Sequence, residues 1–293
     1  MPYASSNGVQ LYYEEAGKGT PIVFVHEFSG DLGSWEAQMR HFSRRYRCIA
    51  FNARGYPPSE VPAAAAYYSW TRAVGDIAAV MRHAGAASAH VVGCSMGAYS
   101  TLQFGLCRPR LARSLTVVGA GAGSDFARRA RFLEATLATA RRFEREGLAP
   151  AARSYRDAPN RIQLESKDPR GFAEFFARFA GHSALGHART LRGVQMKRPS
   201  IYRLARELAR LKVPLHVVAG DEDDGSLGPA LFLKRACPAA RLTLVAATGH
   251  LVNLEEPALF NRLTGDFLAL VDSGRWRPRD PRSYNPSTMA RKA

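Results

Sequence analysis

No stretch of this sequence approaches the ~20 consecutive apolar residues that a membrane-spanning helix needs. The first residues, Met1 to Gly8, lack the basic-then-apolar pattern of a secretory signal, so an unprocessed cytoplasmic chain is expected. Cysteine is scarce: Cys48, Cys94, Cys107 and Cys237 form no C-x-x-C pair, which excludes a disulfide framework and a zinc ribbon. His90 stands one helical turn before Cys94, but two ligands without partners make no metal site. Buried free thiols are the expectation. Acidic residues are also few, 25 Asp and Glu against 41 Lys and Arg, which leaves a formal charge of +16. Such a charge points to nucleic acid or an anionic surface. No nucleic-acid motif accompanies it, however. Lysine is confined to Lys18, Lys167, Lys197, Lys212, Lys234 and Lys292, and the arginines are scattered in short clusters such as Arg44-Arg45 and Arg141-Arg142. A solvated basic face is expected, with no nucleic-acid or membrane partner. No metal or cofactor is expected either, and a homodimer is an allowed assembly.

What is present is an alternation of short apolar runs and helical stripes. Val9 to Glu14, Pro21 to Val25, Arg47 to Phe51, His90 to Val92 and Leu115 to Val118 read as strands. Between them, Trp35 to Phe42, the spacing of Val74, Ile77 and Met81, and Met96 to Cys107 read as helices. This order predicts a mostly parallel sheet covered by helices on both faces. From about Ser124 to Arg210 only helical stripes appear. Phe126, Ala130, Leu133, Leu137 and Ala140 make the first; Phe172, Phe175, Phe176 and Phe179 the second; Ile201, Leu204, Leu208 and Leu211 the third. Strands resume at Leu215 to Ala219 and Arg241 to Val245, with helices at Ala230 to Arg235 and Pro257 to Leu270. The expected organisation is a core of residues 1–123 and 211–271, a helical cap of 124–210, and a disordered basic tail of 272–293.

Gly93-Cys94-Ser95-Met96-Gly97 is G-x-S-x-G between a predicted strand and a predicted helix. A sharp turn there strains the serine and lifts its hydroxyl above the carboxyl edge of the sheet, beside the positive end of the next helix. The pattern alone also occurs in ordinary strand–helix turns. Further segments add to it: VFVHEFSGDLGSW at 23–35, NARGYPPS at 52–59, GDEDD at 220–224 and TGHLVNLEEP at 248–257. On these the sequence resembles the α/β-hydrolase fold family, in its cap-bearing branch of small-molecule esterases and carbon–carbon hydrolases, over nearly all of residues 9 to 270.

The resemblance implies Ser95 as nucleophile and His250 as general base, in the family's chain order of serine, acid, histidine. Asp221, Glu222, Asp223 and Asp224 compete for the acid, and the family's G-x-x-D pattern selects Asp223. It implies an oxyanion hole of two backbone N–H groups, those of Met96 and Phe28. Two departures stand out. Glu27 replaces the family's usual glycine after His26, and a carboxylate facing an oxyanion hole would repel the developing charge. Glu27 is expected either to turn away, paired with an arginine such as Arg54, or to act on the substrate; turning away is the favoured reading. His26 is expected to brace the loop. Asn52 stands where the family often has Asp, in a segment read as structural. Serine rather than aspartate at position 95 argues against the dehalogenase and epoxide hydrolase branches.

The expected activity is cleavage of a small carboxylic ester or related carbonyl substrate. Carbon–carbon cleavage of a ring-cleavage diketone and thioester or lactone hydrolysis are alternatives on the same triad, and a ligand-binding receptor that lost turnover is the non-enzyme alternative. His26, Glu27, Phe176 and Met196 are the candidate pocket residues. Arg189, Arg192 and Arg198 are available for a substrate carboxylate, with no motif to choose among them.

Overall fold

A computed structural model describes residues 2–284. Its eight strands are β1 (Tyr3–Ser6), β2 (Val9–Ala16), β3 (Pro21–Val25), β4 (Arg47–Phe51), β5 (Ala89–Cys94), β6 (Ala112–Val118), β7 (Leu215–Gly220) and β8 (Ala240–Val245). They form one sheet in the order β1-β2-β4-β3-β5-β6-β7-β8. β2 runs antiparallel to both its neighbours, and β3 through β8 pair parallel. β5 and β7 are buried at every residue, as strands covered on both faces must be. That is why they read as unbroken apolar runs. β8 lies at the edge and leaves Leu244 half exposed. The mostly parallel sheet expected from the alternation is therefore present. β1 is an addition: its residues are too polar to signal a strand. It is held to β2 through Asn7-Gly8, both at positive φ (51° and 79°), the geometry of a two-residue type I′ hairpin turn.

The helices are α1 (Glu36–Phe42), α2 (Trp70–His83), α3 (Met96–Cys107), α4 (Arg129–Glu146), α5 (Leu148–Arg156), α6 (Ile162–Lys167), α7 (Pro169–Ala180), α8 (Ala184–Thr190), α9 (Ala205–Arg210), α10 (Asp224–Ala236), α11 (Val252–Glu255) and α12 (Pro257–Asp272). On one face of the sheet Val74 and Ile77 of α2, Leu102 of α3 and Leu233 of α10 join one apolar cluster. On the other, Trp35, Met39 of α1 and Phe260 of α12 join a second, together with the phenylalanines of α7. Among the described residues no helix is long and apolar enough to cross a membrane.

The segment between β6 and β7 is helical throughout, α4 to α9, with a π-helical turn at Leu191–Gln195. Its stripes behave differently from one another. α4 buries Thr136, Ala140 and Phe143, so the first stripe shares Ala140 with the buried face, while Phe126 precedes the helix and is 55 % exposed. The third stripe, Ile201 to Leu211, packs with the α2–α3 face of the sheet and belongs to the core rather than to the cover of the site.

The stretch after Asp272, expected to be disordered, is tied down as far as it is described. Trp276 packs edge-on against Phe267 at 4.9 Å, Arg241 lies over its ring at 5.0 Å, and Arg279 N–H donates to the Pro238 carbonyl at 2.9 Å. One aromatic anchor suffices to fix a polar segment that composition alone marks as loose. Residues 285–293 of that expected tail lie outside the described residues.

Candidate active site

Between β5 and α3 the chain turns so sharply that Ser95 adopts φ 52° and ψ −110°. A non-glycine residue held there costs about 1–3 kcal/mol, which surrounding structure must offset. The Ser95 N–H donates to the Val118 carbonyl at 2.7 Å, tying the turn to β6. The flanking glycines are steric necessities. A Cβ on Gly93 would lie 2.4 Å from the Gly97 carbonyl oxygen, and one on Gly97 would lie 2.1 Å from that of Val25.

Asp223 and His250 arrive from the loops beyond β7 and β8. His250 Nδ1 lies 2.6 Å from Asp223 Oδ2, and both side chains are buried. Since the carboxylate accepts, Nδ1 carries the proton and Nε2 is left as the free lone pair. Burial pushes the Asp223 carboxyl up. The charge of His250 and the hydrogen bond with it outweigh it, so the group stays below its ordinary value and ionised. The competing acids are occupied or exposed. Asp221 accepts from the Thr248 N–H, Glu222 from Gln163 Nε2, and Asp224 opens α10 in solvent.

The histidine loop has a brace that sequence reasoning missed. Glu255 accepts from the N–H groups of Gly249 (2.6 Å) and Leu251 (2.9 Å), the residues either side of His250. The Gly-His-Leu…Glu spacing in TGHLVNLEEP was the available signal. His250 N–H donates to the Asn160 carbonyl, and the imidazole packs on Gly119, where a Cβ would lie 3.1 Å from Nδ1.

The backbone N–H of Phe28 donates to no acceptor among the described residues, and that of Met96, first in α3, has no intrahelical one. His26 sets the first of these. Its Nδ1–H donates to the Glu27 carbonyl at 2.7 Å while Nε2 accepts from the Ala53 N–H at 3.0 Å, one tautomer serving both. Fixing the Glu27 carbonyl fixes the plane of the peptide that carries the Phe28 N–H. Burial pushes the His26 pKa down to about 4, so the ring is neutral near pH 7. Tyr56 Oη donates to the Phe28 carbonyl at 2.9 Å, and His187 Nε2 lies 3.1 Å from the same oxygen. Asn52 is structural: it accepts from the Leu32 N–H and donates to the Pro57 carbonyl.

Ser95, Asp223, His250, Glu27 and Phe28 line one cavity of about 490 Å³. Helices of the insert contribute Phe132 and the loop residues Asn160 and Arg161; the π-helical turn contributes Leu191 and Gln195. Three of the expected pocket residues are not in that lining. His26 is behind the loop, Phe176 is in the ring cluster with Phe172 and Phe175, and Met196 follows the π-helical turn that brings in Leu191 and Gln195. Of the expected arginines, Arg189 donates to the Ala63 carbonyl and Arg192 pairs with Glu144, both away from the cavity; Arg198 lines it.

Glu27 does not pair with Arg54, which is held by Asp76 instead. It is fully buried in the cavity wall, with Oε1 accepting from Ser34 Oγ at 2.8 Å and Oε2 unpartnered. Burial raises its pKa, more than its hydrogen bonds and Arg161 lower it. A carboxyl whose folded pKa is raised favours the folded state at low pH and loses that contribution as pH climbs through the raised value. Glu27→Gln keeps the Ser34 hydrogen bond and removes the charge. Its melting temperature is therefore expected to exceed wild type by a few degrees at pH 8, about 2–4 °C per kcal/mol for a domain of this size. The difference should vanish near pH 4. Calorimetric scans across that range decide; equal melting temperatures at pH 8 contradict the argument.

The model of the alpha/beta hydrolase fold matches residues 20–257. A putative carbamate hydrolase of Azorhizobium caulinodans is 28 % identical over 93 % of this chain and 100 % of its own. A putative 2-succinyl-6-hydroxy-2,4-cyclohexadiene-1-carboxylate synthase of Bacillus subtilis is 23 % identical over 91 % and 97 %. Among solved structures, the enol-lactonase of Burkholderia xenovorans superposes with a TM-score of 0.80 at 22 % identity, covering 92 % of this chain and 100 % of that one.

Proposed function

The chain belongs to the alpha/beta hydrolase fold family and is a hydrolase, and we propose that it cleaves a small carboxylic ester or lactone through Ser95, His250 and Asp223. The observation that carries this reading is the His250–Asp223 hydrogen bond at the wall of the cavity that the strained Ser95 also lines. His250 Nε2 takes the Ser95 hydroxyl proton as Oγ attacks the carbonyl carbon. The negative charge moves to the carbonyl oxygen, where the N–H groups of Phe28 and Met96 receive it; each such donor contributes about 3 kcal/mol to the transition state. His250 then gives its proton to the departing alcohol, leaving Ser95 acylated. A water, deprotonated by His250, releases the acid and restores the serine. The related carbamate hydrolase and enol-lactonase are named for the same bond class, acyl carbon to heteroatom.

The insert sets the size of the acyl group in this reading, through Phe132 and Leu191 rather than Phe176 and Met196. Wild type is expected to turn over p-nitrophenyl acetate and butyrate. Leu191→Trp, which fills part of the cavity, should lower kcat/KM for butyrate relative to acetate about tenfold, the worth of one or two methylenes. No turnover of any ester by wild type counts against the activity; an unchanged ratio in Leu191→Trp counts against the insert as the selector.

A further inference from the structure

Phe28 carries one of the two N–H groups assigned to the developing oxyanion, and it is held on both sides. On its N-terminal side His26 fixes the Glu27 carbonyl. On its C-terminal side the Phe28 carbonyl is reached from two separate parts of the chain. Tyr56 Oη, from the loop after β4, donates to it at 2.9 Å, and His187 Nε2, from α8 of the insert, lies 3.1 Å away. The other nitrogen of that ring also faces a carbonyl: His187 Nδ1 is 3.1 Å from the oxygen of Ser183. The ring is fully buried, and burial pushes its pKa well below the ordinary histidine value, so it carries one proton near pH 7. One N–H therefore stands between two acceptors, and a lone pair must face the other.

The surroundings choose between them. Ser183 is partly exposed, and its carbonyl already accepts the backbone N–H of His187 at 3.0 Å. Phe28 is buried, and an acceptor set against a lone pair costs most where water cannot reach it. The proton therefore belongs on Nε2. Packing keeps the imidazole in place, with the ring centroids of Tyr56, Phe28 and Phe179 at 4.4, 5.0 and 5.3 Å. α8 comes this close because residue 186 is glycine: a Cβ there would lie 1.9 Å from the carbonyl oxygen of Gly55, the residue before Tyr56. On the hydrolase reading above, we propose that His187 is a positioning residue for the oxyanion loop, its Nε2–H holding the Phe28 carbonyl from the insert while Tyr56 holds it from the core. With the peptides on both sides of the Phe28 Cα held, its N–H is aimed before substrate arrives. The insert then does more than shape the cavity: α8 completes the catalytic geometry.

The test separates the donor from the packing. Glutamine puts an amide N–H near the place of Nε2, whereas leucine keeps comparable bulk and has no donor. On p-nitrophenyl butyrate, His187→Leu should lower kcat about 10- to 100-fold with KM nearly unchanged, less than the loss of about 10²- to 10³-fold that follows removal of an oxyanion donor outright. His187→Gln should return kcat to within about threefold of wild type. The affinity of an alkyl boronic acid, whose adduct on Ser95 mimics the tetrahedral intermediate, should fall in His187→Leu in parallel with kcat. Equal kcat in the Leu and Gln variants, or a loss carried by KM alone, overturns the role. Nitrogen-15 NMR of histidine-labelled wild-type protein reads the proton directly, whether or not His187→Leu folds. The His187 signals, identified by their absence from His187→Gln, should show Nε2 protonated and Nδ1 bare; a proton on Nδ1 overturns the proposal. Failure of wild type to cleave any ester is a different result, which defeats the hydrolase reading, and the tautomer then still decides whether His187 holds the Phe28 carbonyl.

Discussion

Ser95→Ala should lower kcat on p-nitrophenyl esters by about 10⁵- to 10⁶-fold while the protein stays folded. Alanine leaves no atom to form the acyl-enzyme, and the proposed oxyanion donors, Phe28 and Met96, would alone support only the small residual rate that such sites retain. Stability should change little, because the strained backbone at φ 52° belongs to the turn and is no easier for alanine. The neighbouring thiol cannot substitute: Cys94 is fully buried, and burial pushes its pKa well above the ordinary thiol value, so no thiolate forms at pH 7. Ser95 is partly accessible, so a fluorophosphonate probe should add once to wild type. Peptide mass spectrometry should find the adduct on Ser95. An adduct elsewhere, or undiminished turnover in Ser95→Ala, removes Ser95 as nucleophile.

Asp223→Asn should cost about 10⁴-fold in kcat, the size of the effect measured for the corresponding change in serine protease triads. The physical cause is the tautomer. An amide at 223 can donate to His250 Nδ1, which then puts the imidazole proton on Nε2, where a lone pair is needed for the serine proton. Asp224→Asn, exposed at the start of α10, should leave kcat within about twofold. The reverse pattern would transfer the role to Asp224. A second readout follows from the lowered pKa of Asp223. A carboxyl held below its unfolded value, about 3.9, contributes stability above that pH and loses it as pH falls through the folded value. The melting-temperature deficit of Asp223→Asn should therefore be present at pH 7 and close as the solution is acidified below about pH 4.

The sheet was readable because its strands are buried on both faces and bounded by breakers. β3 and β4 fall on the residues expected from their apolar runs, and α3 likewise. β1 was unreadable because a four-residue edge strand needs only alternate residues buried. The first stripe of the insert was legible only in part: Ala140 is buried as its period expects, but Thr136 takes a buried place beside it and Phe126 lies before α4, so apolar periodicity alone does not mark the inner face.

For the site, the sequence by itself determined the turn at Ser95, since only glycine at 93 and 97 avoids collision with the backbone around them. It also determined the set of carboxylates from which the histidine's partner comes. Which one reaches His250, 27 residues away, depended on how the loops beyond β7 and β8 are aimed, and adjacent aspartates are chemically identical until that geometry exists. The state of the charges was decided by tertiary structure alone. Arg54, Arg161 and Arg198 are the same residue in the sequence. Asp76 reaches only the first, while Arg161 and Arg198 are buried over the rings of Tyr155 and Tyr99 with no ion pair among the described residues. Glu27 is decided in the same way: a surface carboxylate by composition, it is buried against Ser34, where low polarity raises its pKa.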